Sequence, residues 1–170
     1  MVADLIDFDD LPPGGKQREP RLVRVGAGRL GLWAKPTPAR LDRWKAKGLT
    51  TLVTLLSERE GALRMAEHSQ AAGLAWLWFA QENGQNLPAQ RQRELLMFLA
   101  QVSLGLDQGN WVVIHCAAGQ HRTGMAAYAL LRQRGLSPDL ALEQINLMRP
   151  VTREGVGDKR LAWVERWLRL

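Results

Sequence analysis

The chain has 170 residues, 46% of them hydrophobic and 24% charged. That length and balance suit one ordinary globular domain with a sizeable core and exclude a wholly disordered chain. The formal charge of +6 is uneven: residues 1–20 hold five acidic against two basic side chains, so the remainder carries +9, a basic body that favours acidic partners such as phosphoproteins, phosphoinositides or nucleic acid.

In chain order, residues 1–20 read as a flexible polar lead-in broken by Pro12-Pro13-Gly14-Gly15, and residues 21–170 as a single domain. No basic stretch precedes an apolar one there, so no signal peptide is expected. Leu22–Val25 and Arg29–Trp33 flank Gly26-Ala27-Gly28, the pattern of a hairpin. Thr37-Pro38 opens a helix by cap and first-turn proline, and Gly48 closes it. Thr50–Leu56 predicts a buried strand, Ala62–Ala72 a helix and Leu74–Phe79 a second buried strand. The polar loop 81–88 leads to a long helix over Ala89–Leu106, then a third buried strand at Trp111–His115. Helices are expected over Thr123–Arg134, from Ser137-Pro138 to Met148, and over Val156–Leu170. Strands alternating with helices predict an α/β fold whose central, mostly parallel sheet is flanked by helices on both faces. The longest apolar run, Leu74–Ala80, is too short to span a bilayer.

Cys116 is the one cysteine, which excludes an intramolecular disulfide and fits a reducing, cytoplasmic setting. It lies in His115-Cys116-Ala117-Ala118-Gly119-Gln120-His121-Arg122-Thr123-Gly124, between the third strand and a helix. In that setting loop N–H groups converge on one point, and the helix adds its unpaired N–H groups and positive dipole end. Arg122 offers two parallel donors to two oxygens of an anion, which Lys cannot. Helix N-termini and neighbouring cations favour thiolate over thiol, so the same surroundings activate Cys116 as a nucleophile inside an anion cradle.

This string resembles the signature of the protein tyrosine and dual-specificity phosphatases: His-Cys, five residues, then Arg followed by Ser or Thr. The resemblance is nearest to the compact dual-specificity or kinase-associated type. It implies a dual-specificity phosphatase-like fold and hydrolysis of a phosphomonoester through a phosphocysteine intermediate on Cys116. It further implies that Arg122 and the N–H groups of Ala117, Ala118, Gly119, Gln120, His121 and Arg122 hold the phosphoryl oxygens in a P-loop. Thr123 would help Cys116 leave, and His115 would orient the loop as a supporting residue. Phosphoprotein is the expected substrate; an RNA 5′-triphosphatase, a phosphoinositide phosphatase and a non-catalytic phosphate-binding module are the alternatives.

The chain departs from that pattern at the general acid, an Asp in the family. Residues 79–88 contain no Asp, and their one carboxylate is Glu82. One alignment puts Gln81 at the acid position and a shift by one puts Glu82 there, so Glu82 is the expected proton donor. His121 is a candidate substrate contact, and Arg149 and Arg153, in a segment read as a loop returning to the site, are candidates for shaping phosphate recognition. Trp76, Trp78, Trp111, Trp163 and Trp167 read as packing residues. No cluster has metal-ligand spacing, and neither metal nor other cofactor is expected.

Overall fold

The computed structural model describes residues 4–9 and 16–169. Leu5–Asp7 forms β1, Arg21–Val25 β2 and Gly28–Trp33 β3, three antiparallel neighbours in register Leu5 to Val23 and Val23 to Leu30. Pro38–Ala46 (α1) begins where Thr37 Oγ1 accepts from the Arg40 N–H at 3.3 Å. Thr51–Thr54 (β4), Ala62–Ala71 (α2) and Ala75–Trp78 (β5) follow, then Ala89–Asp107 (α3) and Trp111–His115 (β6). The chain ends with His121–Gln133 (α4), Pro138–Met148 (α5), Pro150–Val156 (α6) and Asp158–Trp167 (α7). Among these residues, no helix is long and apolar enough to cross a membrane.

The strand order is β1-β2-β3-β6-β4-β5, with β3, β6, β4 and β5 mutually parallel. Side chains alternate across the sheet. Leu52 and Val113 pack with Leu41 and Trp44 of α1 and Met65 of α2, while Val53, Val112 and Ile114 pack with Leu95 and Leu99 of α3 and Met125 and Leu130 of α4. Each fully buried Leu or Val contributes roughly 1.5–3 kcal/mol, so both helical layers are fixed by side chains that β4 and β6 share out between them. The fold is the expected α/β arrangement, mostly parallel in its centre.

Four expectations need correction. The first twenty residues are not wholly a lead-in, because β1 pairs with β2, Phe8 is buried, and Asp4 joins Arg24 and Arg29; Pro12-Pro13-Gly14-Gly15 lies outside the described residues. The strand over Leu74–Phe79 is not buried: β5 is the sheet edge, and its residues alternate between exposed and half-buried. An apolar run alone does not distinguish a central strand from an edge strand that carries indoles. Here Trp76 and Trp78 stack at 5.6 Å and bond back to the sheet through their N–H groups. The segment after Arg149 is the helix α6 rather than a loop, started by Pro150, and the last helix begins at Asp158 instead of Val156 because Gly157 breaks the run. Trp167 is buried, and Trp111 and Trp163 are half-buried against the core.

Candidate active site

In a parallel sheet the carboxyl ends of the strands gather on one edge, and a ligand site forms where the strand order switches direction. Here β6 sits between β3 and β4, so the loop leaving it is central. The segments after β3 (Lys35), β4 (Ser57–Glu60) and β5 (Ala80–Pro88) surround it.

The backbone of that central loop is held from outside. Four consecutive carbonyls each accept a hydrogen bond: Cys116 O faces His115 Nδ1 at 3.0 Å, Ala117 O accepts from the Lys35 N–H at 3.0 Å, Ala118 O from an Arg149 terminal nitrogen at 3.1 Å, and Gly119 O from the same nitrogen at 2.8 Å. Thr152 Oγ1 also donates to Gly119 O. In a trans peptide the N–H points opposite to its carbonyl. Pinning the carbonyls outward therefore turns the N–H groups of Ala117, Ala118, Gly119 and Gln120 inward. Gly119 has φ +67, and a Cβ there would lie 2.3 Å from Trp33 O, so the turn needs glycine on both counts. Ala117 and Ala118 are exposed at the mouth, while Gln120 packs against Gly155 of α6.

Arg122 is buried at the first turn of α4 and divided in its use. One terminal nitrogen donates to Glu60 Oε2 at 2.7 Å, Gln81 O at 2.7 Å and Leu55 O at 3.2 Å; the other donates to Glu60 Oε1 at 2.8 Å. A guanidinium carries five N–H groups. The fork of Nε and one terminal N–H remains for an anion, and the Cys116 sulfur is close enough to Arg122 to interact with it. Arg122 bonds hold Glu60 down at a pKa of about 2, against burial and with help from the Ser57 N–H and hydroxyl, at 2.8 and 3.0 Å. Burial opposes the Arg122 charge, but Glu60 and Cys116 outweigh it and raise its pKa.

His115 is fully buried, which pushes its pKa down to about 4 and leaves the imidazole neutral. Its protons can be assigned from partners. Cys116 O only accepts, so Nδ1 carries the hydrogen. Nε2 then accepts from Thr54 Oγ1 at 2.7 Å, and Thr54 Oγ1 accepts from Trp76 Nε1 at 2.8 Å. A chain of donors thus runs from the sheet edge to the carbonyl behind the nucleophile. Cys116 itself is buried and reduced. Thr123 Oγ1 is buried and has no partner among the described residues.

The loop Ala80–Pro88 is fastened through its backbone. Arg91 donates to Ala80 O, Arg122 to Gln81 O, and Arg160 Nε to Gly84 O at 2.8 Å; Trp167 Nε1 reaches Asn86 Oδ1 at 2.9 Å. Gln81 is buried and its Oε1 has no partner, whereas Glu82 is exposed and its carboxylate is held by no described residue. The imidazole of His121 stands at the mouth against Gly84, and burial, with Arg160 and Arg122 nearby, lowers its pKa. Arg149 reaches the central loop, whereas the Arg153 side chain makes no hydrogen bond to its described residues. No group of three potential ligands that could hold a metal ion occurs among the described residues.

Sequence reasoning missed Glu60, Lys35, Thr54 and Thr152. Only Glu60 left a local signal, the spacing Ser57-Glu58-Arg59-Glu60 that caps a helix start.

Residues 25–135 match the family model described as a polymorphic toxin system DSP-PTPase phosphatase. No curated protein matches the sequence. Among solved structures, kinase-associated phosphatase with its catalytic-site cysteine changed to serine is 15% identical, covers 89% of this chain and 96% of its own, and superposes with TM-score 0.70. Tk-PTP in its active form is 22% identical over 84% and 91% of the two chains, with TM-score 0.64. P. aeruginosa TpbA in complex with phosphotyrosine is 21% identical over 87% and 82%, with TM-score 0.57. At these identities the likeness is one of fold.

Proposed function

The chain belongs to the DSP-PTPase phosphatase family of polymorphic toxin systems, and on that footing we propose that it hydrolyses phosphomonoesters on protein through a phosphocysteine intermediate. The Cys116 thiolate attacks phosphorus in line while the ester P–O bond breaks, and the leaving oxygen takes its proton from Glu82. Inward N–H groups of the loop and the free fork of Arg122 hold the phosphoryl oxygens as charge spreads over them. Water, deprotonated by Glu82, then cleaves the P–S bond, and the Thr123 hydroxyl stabilises the departing thiolate. Residues of the chain suffice for each step, without metal or other cofactor. A reducing, cytoplasmic compartment suits the exposed mouth above a nucleophilic sulfur.

The observation that carries this reading is the row of four outward-pinned carbonyls behind Cys116, which leaves their N–H groups for the substrate. The phosphotyrosine bound by TpbA favours protein over RNA as the substrate class. The test is a panel of p-nitrophenyl phosphate, phosphotyrosyl peptide, triphosphate-ended RNA and short-chain phosphoinositide, each with wild type and Cys116→Ser. Turnover of the aryl phosphate and the peptide, abolished in Cys116→Ser, is expected. Activity that survives the substitution would refute the nucleophile, and binding without turnover would leave only a phosphate-binding module.

A further inference from the structure

Beside the catalytic loop lies a groove of about 370 Å³, lined by Lys16, Gln17, Trp33, Arg149, Pro150 and Val151. We propose that it is a substrate subsite that takes an acidic side chain flanking the phosphorylated residue of a phosphopeptide; this rests on the protein-phosphatase reading above and extends it. A water occupies about 30 Å³ of liquid, so the space admits an Asp or Glu side chain with ease.

No carboxylate among the described residues meets the charge of the groove, although the neighbouring Cys116 sulfur favours the Arg149 cation. Arg29, Arg122, Arg132 and Arg134 are each well shielded from solvent, and each faces a carboxylate: Asp4, Glu60, Glu165 and Asp107. Arg149 is half-buried and faces none among the described residues. One of its terminal nitrogens serves Ala118 O, Gly119 O and, at 3.4 Å, Thr152 Oγ1; its Nε and other terminal nitrogen have no partner there. The guanidinium lies over the Trp33 ring at 4.8 Å, which fixes its plane. Lys16, also lining the groove and exposed, adds a second cation. Burying a cation without a counter-charge is costly, so an incoming carboxylate gains from both charges.

Trp33, Pro150 and Val151 give the groove apolar walls, which suit the aliphatic stem of an acidic side chain. The amide of Gln17 is anchored by donating to Met148 O at 2.8 Å and Glu19 O at 3.1 Å, which leaves its oxygen to accept a peptide N–H. Arg149 touches residues two and three positions past Cys116, so an acidic neighbour of the phosphorylated residue need extend only over the rim of the loop.

The experiment compares two phosphotyrosyl peptides, one flanked by Asp and Glu and one by Ala, in wild type, Lys16→Glu and Val151→Asp. Wild type should prefer the acidic peptide by about tenfold in kcat/KM, the low end for a hydrogen bond to a charged group, with the difference carried by KM. Lys16→Glu and Val151→Asp should abolish that preference, and Cys116→Ser should bind the acidic peptide tighter by the same factor. Equal handling of the two peptides, or a preference that survives both substitutions, would overturn the subsite while leaving the phosphatase reading intact. If neither peptide is turned over while p-nitrophenyl phosphate or a short-chain phosphoinositide is, the protein-phosphatase reading falls and the subsite with it.

Discussion

Two loops meet over the site on opposite terms. In the loop after β6 the backbone is pinned on its outer side by His115, Lys35, Arg149 and Thr152, and the proposed chemistry rests on that backbone and on two side chains, Cys116 and Arg122, that are buried. In the loop after β5 the backbone is also tied, at Ala80, Gln81 and Gly84, yet Glu82, the carboxylate proposed as the proton donor, stands exposed with no described partner. Anion binding wants pre-set donors, because reorganising them would cost energy at the moment charge develops. A proton donor must reach a leaving oxygen whose position varies with the substrate, so a side chain free to swing from a fixed base is adequate.

The largest expected effect breaks the comparison at its weaker half. Glu82→Gln should lower turnover of alkyl phosphates by about 10²–10⁴-fold, the usual contribution of general acid catalysis, and that of p-nitrophenyl phosphate far less. Single-turnover assays across a leaving-group series would display this as a steeper dependence on leaving-group pKa. Equal loss across the series would mean that Glu82 does not donate the proton, and Gln81, buried against Arg122, cannot replace it because an amide N–H is far too weak an acid.

The better-built half is sharpened by pH. His115 has its pKa lowered by burial to about 4 from an ordinary 6.5. The unfolded chain therefore binds a proton that the folded one refuses. The stability that this contributes is complete above pH 6.5 and is lost as pH falls toward 4, about 3 kcal/mol over that interval. Glu60, held at about 2, adds a further loss only below its ordinary 4.5. Urea midpoints measured between pH 7 and 4 should fall in wild type. The fall above pH 4.5 should flatten in His115→Asn, which still reaches the Cys116 carbonyl with an amide N–H but does not titrate.

Much of the first loop was legible because its causes are local: a buried strand, a glycine, an arginine and a helix start lie within ten residues. What turns its carbonyls outward was not legible. Lys35 and Thr152 come from distant segments and form no pattern with residues 116–119 until the sheet places β3 beside β6 and α6 against α4, and Arg149, expected to shape phosphate recognition, instead holds two of the loop carbonyls. The same holds for Glu60, whose local spacing announces a helix start but not that Arg122, sixty-two residues on, closes on its carboxylate. The parallel sheet followed from strand and helix alternation. The edge position of β5 did not, since Trp76 and Trp78 read as core until their N–H groups are seen bonding inward to Thr54 and Leu56.

The smallest effect tests whether the two loops act as one unit. Gly84 lets the second loop lie on the first: a Cβ there would fall 2.5 Å from His121 Cβ and 3.0 Å from Arg160 Nε. Its backbone is ordinary, so Gly84→Ala acts through contact alone. The Cβ of His121 is part of α4 and cannot yield as the tip of a flexible side chain can, so the loop after β5 must lift and carry Glu82 with it. Overpacking of this kind costs about 1–3 kcal/mol, which for a chain of this size lowers Tm by roughly 2–4 °C per kcal/mol. Turnover of alkyl phosphates should fall more than that of aryl phosphates, while reaction of Cys116 with iodoacetate, which needs only the first loop, should hold. His121→Gly removes the opposing Cβ, so the double variant should recover part of the lost Tm and turnover. Strict additivity of the two substitutions would mean that the loops do not bear on each other at this contact.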